Sequence, residues 1–455
     1  MKFGKKVLSV FLASLVAVSA GTLSACSGNP NSAGSNGTDS SEKSEQQTGE
    51  KPSGEITFSF WGVPEEVDIQ EKLAEAFMEK NPDIRVNLDH VSGSADYNQT
   101  ILTRMAGGTA PDVFYLGEVM TPIYSSKGVL EDLLPYAKRD GINFEDYWPG
   151  VLSPCGYEDG HLWAFAKDCG PYFVYYNKAH FDELGLPYPD GSWTTEEFQE
   201  IAQKLTQVDD SGKVVRYGLA GENGWTSWFA LAYKNGGQIM DDEGKRFVED
   251  PKTAEILQWY FDLANVEHVS TNPDTMVAMG GAEVDAFKGN LASMVIGGRF
   301  MTYFLQDFDG EYGFTTFPMA AESTQPLQFV ALGMAKDSQN KEAAWEFIKF
   351  YCGTEGQEIS TSTGLGLPTM KSVTESGVWM LPGETDTDKE TILNQFENTK
   401  DLPFHSEWGK LIDDIWTRHM KEAARGAISA QEALAAATKE CNQYTRGEWF
   451  LMAYH

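Results

Sequence analysis

Hydrophobic positions recur along this chain with two periods, and each change of period marks an element. Ile56–Trp61 alternates as a half-buried strand does, and Gly62-Val63-Pro64 turns out of it. Ile69, Leu73, Ala76 and Phe77 then share one face at helical spacing, and the run stops before Asn81-Pro82. Ile84–Leu88 is the next strand, and this strand-helix-strand order calls for a parallel pair with a right-handed crossover. The pattern repeats: Tyr97–Ala106 is helical, Gly107-Gly108 ends it, Asp112–Leu116 is a short apolar strand and Thr121–Lys127 begins another helix. Such alternation predicts an α/β domain, in which ligands gather beyond the carboxyl ends of the strands. Trp61, Gly117 and Glu118 fall at those ends.

The stretch Asp159–Lys178 organises the rest. Leu162–Ala166 and Tyr172–Tyr176 read as strands, separated by the charged pair Lys167-Asp168 and the breaker pair Gly170-Pro171. Pro171 removes a ladder donor, which favours a change of direction over a continued hairpin. The chain here either crosses from one lobe to a second or makes a plain hairpin within one domain. A crossing would set its polar residues in an interdomain cleft, where small-ligand sites are common.

Beyond Lys178 helices dominate. Thr194-Thr195-Glu196-Glu197 is a capping box ahead of Phe198, Ile201, Ala202 and Leu205, and Asp250-Pro251 opens a helix with Ile256, Leu257, Tyr260 and Leu263 inward. Leu291–Ile296 is a buried strand ending in Gly297-Gly298-Arg299, a second candidate crossing, and Tyr312–Phe317 and Phe329–Met334 are further strands. Asn340 caps a helix carrying Ala344, Phe347, Ile348 and Tyr351, after which Cys352-Gly353 reads as a third crossing. A second capping box, Ser429-Ala430-Gln431-Glu432, precedes Ala433, Leu434 and Ala437. The domains expected are an N-terminal α/β lobe over 55–167 plus 300–350 and a helix-rich lobe over 168–299 plus 351–455.

At 455 residues and 41% hydrophobic content, the chain can build two or three ordinary cores. Its formal charge of −32 argues against nucleic acid, and equally against charge-driven docking on anionic lipid. The start of the chain has another character. Lys2, Lys5 and Lys6 precede the apolar run Val7–Ala20, too short to span a bilayer comfortably, so residues 1–25 read as a targeting leader. Leu23-Ser24-Ala25-Cys26 resembles the lipobox of bacterial lipoproteins, in which Cys26 becomes the acylated first residue. Losing three lysines with the leader takes the charge from −32 to −35. Residues 26–54, rich in Ser, Gly, Asn, Thr, Glu and Gln, read as a flexible tether.

Common chemistries find no support. There is no GxxxxGK[ST] loop, no strand-GxGxxG-helix unit, no HExxH and no GxSxG elbow, and the seven histidines are scattered. Cys155, Cys169, Cys352 and Cys441 show no CxxC spacing. They leave either a Cys155–Cys169 disulfide or buried free thiols. What stands out is aromatic rings beside turn residues: Phe60-Trp61-Gly62, Pro171-Tyr172 and Gly224-Trp225-Thr226-Ser227-Trp228. An indole offers a flat face and one N–H donor, suited to the C–H faces and hydroxyls of a sugar, though each ring singly fits core packing as well. Asp168 and Arg299, at two crossings, suit either hydroxyl binding or an interlobe salt bridge.

The chain resembles the family 1 extracellular solute-binding proteins, the maltose-binding-protein-like receptors of sugar ABC transporters. The resemblance rests on Asn81-Pro82-Asp83-Ile84, on Met105-Ala106-Gly107-Gly108-Thr109-Ala110-Pro111-Asp112-Val113, and on Lys127-Gly128-Val129-Leu130 with Leu133. Tyr176-Asn177-Lys178, Gly185-Leu186 with Trp193-Thr194, and Asn235-Gly236-Gly237 continue it, and Phe287-Lys288-Gly289 with Met294 and Ala344-Trp345-Glu346-Phe347-Ile348 complete it. It implies a two-lobe, periplasmic-binding-protein type II-like α/β fold with three hinge crossings, and binding without catalysis. Trp61, Glu118, Tyr172, Trp225 and Trp228 occupy positions that line the cleft in such proteins. The implied partners are a sugar or oligosaccharide, the permease subunits of an ABC importer, and the membrane through a lipid on Cys26, as in Gram-positive bacteria. No cofactor, metal or nucleic acid is expected, and the chain should act as a monomer. Arg299 departs from the pattern, since relatives often carry an aromatic ring there, and this points to a more polar or charged sugar.

Overall fold

Among the described residues, ten strands form two five-stranded sheets in the computed structural model. It describes residues 51–446 apart from 158, 222–223, 242–243, 319–323, 398, 401 and 403–404. The leader, Cys26 and the tether as far as residue 50 lie outside the described residues.

The first sheet has the order β2-β1-β3-β10-β4, built from β1 (Gly54–Trp61), β2 (Ile84–Val91), β3 (Val113–Gly117), β4 (Phe165–Gly170) and β10 (Gln328–Met334). β1 runs parallel to β2 and β3, while β10 is antiparallel to β3 and β4. The second sheet has the order β6-β7-β8-β5-β9, from β5 (Tyr172–Asn177), β6 (Gln207–Val208), β7 (Val214–Ala220), β8 (Ala292–Gly298) and β9 (Tyr312–Thr315). β5 shows why this sheet is buried on both faces. Tyr172, Val174 and Tyr176 enter the apolar cluster holding Trp228 and Trp416, and Phe173 and Tyr175, pointing the opposite way, join the cluster that also covers the first sheet.

The two capping boxes form as expected: Thr194 Oγ1 accepts from the Glu197 N–H, Ser429 Oγ accepts from the Glu432 N–H, and each glutamate accepts from its cap residue's N–H. All four described cysteines are free and buried, so Cys155 and Cys169 are thiols.

Among the described residues the chain passes three times between the sheets, the first time at the expected place and the other two times elsewhere. The first crossing is Pro171 alone, between β4 and β5. The second lies between β9 and β10, with Phe317 still in the second cluster and Leu327 in the first. Residues 312–315, expected in the N-terminal lobe, therefore belong to the second sheet, where Phe314 meets Phe173 at 5.2 Å between ring centroids. The third crossing is not at Cys352-Gly353. Gly353 ends the helix Lys341–Cys352 and, in extended conformation, caps the helix Thr354–Thr361, and both helices pack on the first sheet. The change of side spans the helix Asp386–Glu397, which touches β9 of the second sheet while its Phe396 stacks on Trp148 at 4.8 Å, and Leu402 beyond it lies in the second cluster.

Polar contacts tie the crossings together. Gln325 Oε1 accepts from the Tyr172 N–H at 3.2 Å, Gln325 Nε2 donates to Gln395 Oε1 at 2.9 Å, and the Gln325 carbonyl accepts from the Lys400 N–H at 3.0 Å. Lys234 Nζ, from the second lobe, donates to the same Gln395 oxygen at 2.8 Å.

Candidate functional site

A cleft of about 680 Å³ opens where the two sheets meet. Its floor is β4 and the end of β8, and its first wall is made by the segments that continue from β1 and β3, beyond the carboxyl ends of those strands. Trp61 closes β1 and is braced edge-on by Tyr97 and Tyr115, each at 5.1 Å between centroids. The Tyr97 hydroxyl in turn donates to the Ser59 carbonyl at 2.8 Å and accepts from the Tyr115 N–H at 3.0 Å, locking β1 to β3 under the indole. Trp61 is half-buried and lines the cleft.

Glu118 comes directly after β3 and also lines the cleft. Burial pushes its carboxyl up to about 7, and the negative charges of Asp413 and Asp168 add to the push, against hydrogen bonds from the backbone at Glu118 and Phe329. Glu66, in the first turn of the helix Pro64–Lys80, is likewise raised by burial although it accepts the Val63 N–H at 2.6 Å.

Asp168 and Lys167 occupy the floor together. Neighbours in a regular strand point to opposite faces, but the register between β4 and β10 shifts here: Val330 faces Asp168 while Ala331 faces Ala166. The bulge frees Lys167 from the ladder, and its Nζ donates to Asp168 Oδ2. Asp168 Oδ1 accepts the Val330 N–H at 3.3 Å, and Lys167 Nζ stands 4.9 Å from the centre of the Tyr115 ring. Burial works against the Lys167 charge, yet Asp168, Tyr351 and Glu66 hold its proton more tightly than in water.

Arg299 contributes to the lining, but its guanidinium is 1% exposed and engaged elsewhere. Nη2 donates to Glu384 Oε2 at 2.9 Å and Nη1 pairs with Oε1, while the group lies 5.4 Å from the Trp379 ring centre and 5.7 Å from that of Phe314. The salt bridge of this residue is thus with Glu384, and not with Asp168. A Cβ on Gly170 would come within 3.0 Å of the Arg299 Cβ, so a glycine at this crossing lets the arginine pass. The aromatic face comes one residue later: Phe300 and Phe304, on either end of the turn Met301–Phe304, both line the cleft.

The other three aromatic candidates do not line this cleft. Tyr172 is buried in the second cluster, edge-on to Phe300. Trp228 is fully buried, packed against Phe261 and Trp416. Trp225 is half-buried at the start of the helix Trp225–Lys234, edge-on to Trp408 at 5.4 Å. Its indole bonds the carboxyl of Asp413, which burial and then Asp414 raise to about 6 while Trp225 opposes. Asp413 stands on a π-helical segment, Gly409–Trp416, a rare conformation that often marks functional places.

Glu66, Phe300, Phe304 and Asp413 carry no mark in the sequence reading, and Lys167 entered it only as half of the charged pair at the crossing. Phe300 and Phe304 carry a signal that was available, since they come after the Gly297-Gly298 break at helical spacing; the bulge at Lys167 has none. Among the described residues no group of three or more His, Cys, Asp or Glu side chains is placed to hold a metal ion.

The model of a family described as bacterial extracellular solute-binding protein matches residues 64–358. The putative ABC transporter periplasmic-binding protein YcjN of Escherichia coli K12 is 24% identical over 376 residues, 79% of this chain and 82% of that one. The maltotriose-binding protein of Pyrococcus abyssi is 22% identical over 329 residues, 70% of this chain and 67% of that one. Among solved structures, the ABC substrate-binding protein Lmo0181 of Listeria monocytogenes, in complex with cycloalternan, aligns with a TM-score of 0.77 at 23% identity, over 86% of this chain and 98% of the other.

Proposed function

The chain belongs to the bacterial extracellular solute-binding proteins, and from that premise we propose that it captures a sugar, an oligosaccharide in particular, in the cleft between its sheets. The lobes close on the solute by hinge motion and deliver it to the permease of an ABC importer. A lipid on Cys26 holds the protein to the outer face of the cytoplasmic membrane. The observation that carries this reading is the lining itself. An aromatic face (Trp61) and a second aromatic group (Phe300, Phe304) flank a floor of backbone and carboxyl oxygens, the mixture that a ring with apolar C–H faces and a hydroxyl rim requires. Relatives named for maltotriose and for an oligosaccharide complex support the same solute class. Trp225, across from Glu118 through Asp413, is the residue of the second lobe that we assign to the closing wall.

Binding that favours the folded state stabilises it by RT ln(1 + [L]/Kd), about 2.7 kcal/mol at a hundredfold excess over Kd. A thermal-shift screen over mono- and oligosaccharides should therefore show an upward shift of several degrees for the cognate sugar. Turnover of the sugar in the same wells, or no shift with any sugar, would refute the proposal. Labelling with a radioactive fatty acid in cells tests the anchor, and Cys26→Ser should abolish the label.

A further inference from the structure

Resting on that reading of the cleft, we propose that the site takes solutes without negative charge and excludes acidic ones, with Glu118 as the residue that enforces the exclusion. Among the described residues, the carboxylic and basic side chains lining the cleft are those of Glu66, Glu118, Asp168, Lys167 and Arg299. Both cations are committed within the protein. Lys167 is held by Asp168 and sits over the Tyr115 ring, and Arg299 is sealed from solvent in its two-point pair with Glu384. An incoming carboxylate or phosphate would find no unspent positive side chain among the described residues of the lining.

It would instead meet Glu66 and Glu118, with Asp413 adding its field from the other lobe. The upward displacement of all three carboxyls has burial as its main cause, and for Glu118 and Asp413 neighbouring carboxylates add to it. A further anion in the same low-dielectric space raises that penalty, whereas a hydroxyl can donate to Glu118 when it is ionised and accept from it when it is protonated. The arginine that in sequence points toward a charged sugar is consumed by the fold, and the charge selection has the opposite sign.

The test is calorimetric titration of the purified full-length protein, slightly above neutral pH, with maltose, cellobiose and galactobiose, each beside the uronate form of the same disaccharide. For a framework that binds, the acidic member should be weaker by at least about tenfold, or about 1.4 kcal/mol. Glu118→Gln should shrink that ratio several-fold, and Glu66→Gln should shrink it less. An acidic member that binds as tightly as its neutral partner overturns the inference while leaving the proposed function standing. A ratio relieved by Glu66→Gln but not by Glu118→Gln overturns the assignment to Glu118. If no sugar of the thermal-shift screen binds either, the proposed function and this inference fall together. The wild-type ratio decides the exclusion by itself should a variant fail to fold.

Discussion

Replacing Arg299 by methionine separates a structural arginine from a ligand-binding one. The guanidinium is 1% exposed and its partner, the Glu384 side chain, 11% exposed, so the substitution strands a carboxylate in the interior. Glu384 keeps only the Leu381 N–H, at 2.9 Å, as a described hydrogen-bond donor. Removing one partner of a buried pair costs about 3–5 kcal/mol, because the remaining charge is left without compensation. In urea that corresponds to a fall in midpoint on the order of 1 M or more. Glu384→Leu strands the guanidinium in turn and should cost a similar amount. The double variant Arg299→Met with Glu384→Leu, which removes both charges, should recover much of the loss. Urea titrations of the four proteins provide the cycle. If Arg299→Met instead unfolds like the wild type and loses its sugar, the arginine reaches the ligand and its structural role is refuted.

The packing sets three more outcomes. Trp228→Ala should cost about 3–5 kcal/mol of stability, since the ring is enclosed by Phe261 and Trp416, and calorimetry of the folded variant should still show sugar binding. Trp225→Phe should move the Asp413 carboxyl above about 6 by removing the indole donor, read by carbon-13 NMR of the side chain, and should weaken sugar binding more than it weakens the fold. Burial works to raise the Asp140 carboxyl, but hydrogen bonds from Arg139, Lys349 and Trp345 hold it below the usual carboxylate range. Its contribution to stability is thus present above its unfolded value and is lost as pH falls toward the folded one, so the gap between wild type and Asp140→Asn should close in acid unfolding curves.

What could be read from the chain was local, and what could not was mostly pairing over distance. Thr194 and Ser429 announce their helices because a cap and its glutamate lie three residues apart. Pro171 announces a crossing because it cannot donate to a ladder. Nothing near Tyr312–Thr315 says which sheet it joins; that depends on Phe314 meeting Phe173 and Tyr175, well over a hundred residues earlier. Gly353 looks like a hinge but merely separates two helices that face the same sheet. Lys167 and Asp168 read as a loop because two adjacent charges rarely enter a strand, and only the bulge opposite Val330 makes them each other's partner. Trp225 and Trp228 look equivalent in sequence. The run Phe229–Ala232 after them is apolar on every side, which identifies Trp228 as part of a helix sunk in the core.

The one-residue joint at Pro171 shapes how a solute is met. In the proposed closure this joint and the two other passages tied to it through Gln325 set the pivot, and the parts of the cleft nearest Gly170 travel least. Asp168 and Arg299 stand beside this joint, so in the proposed closure the bottom of the groove would be set beforehand. In the proposed closure, first contact would thus be a matter of shape and charge at the base, before the lobes come together.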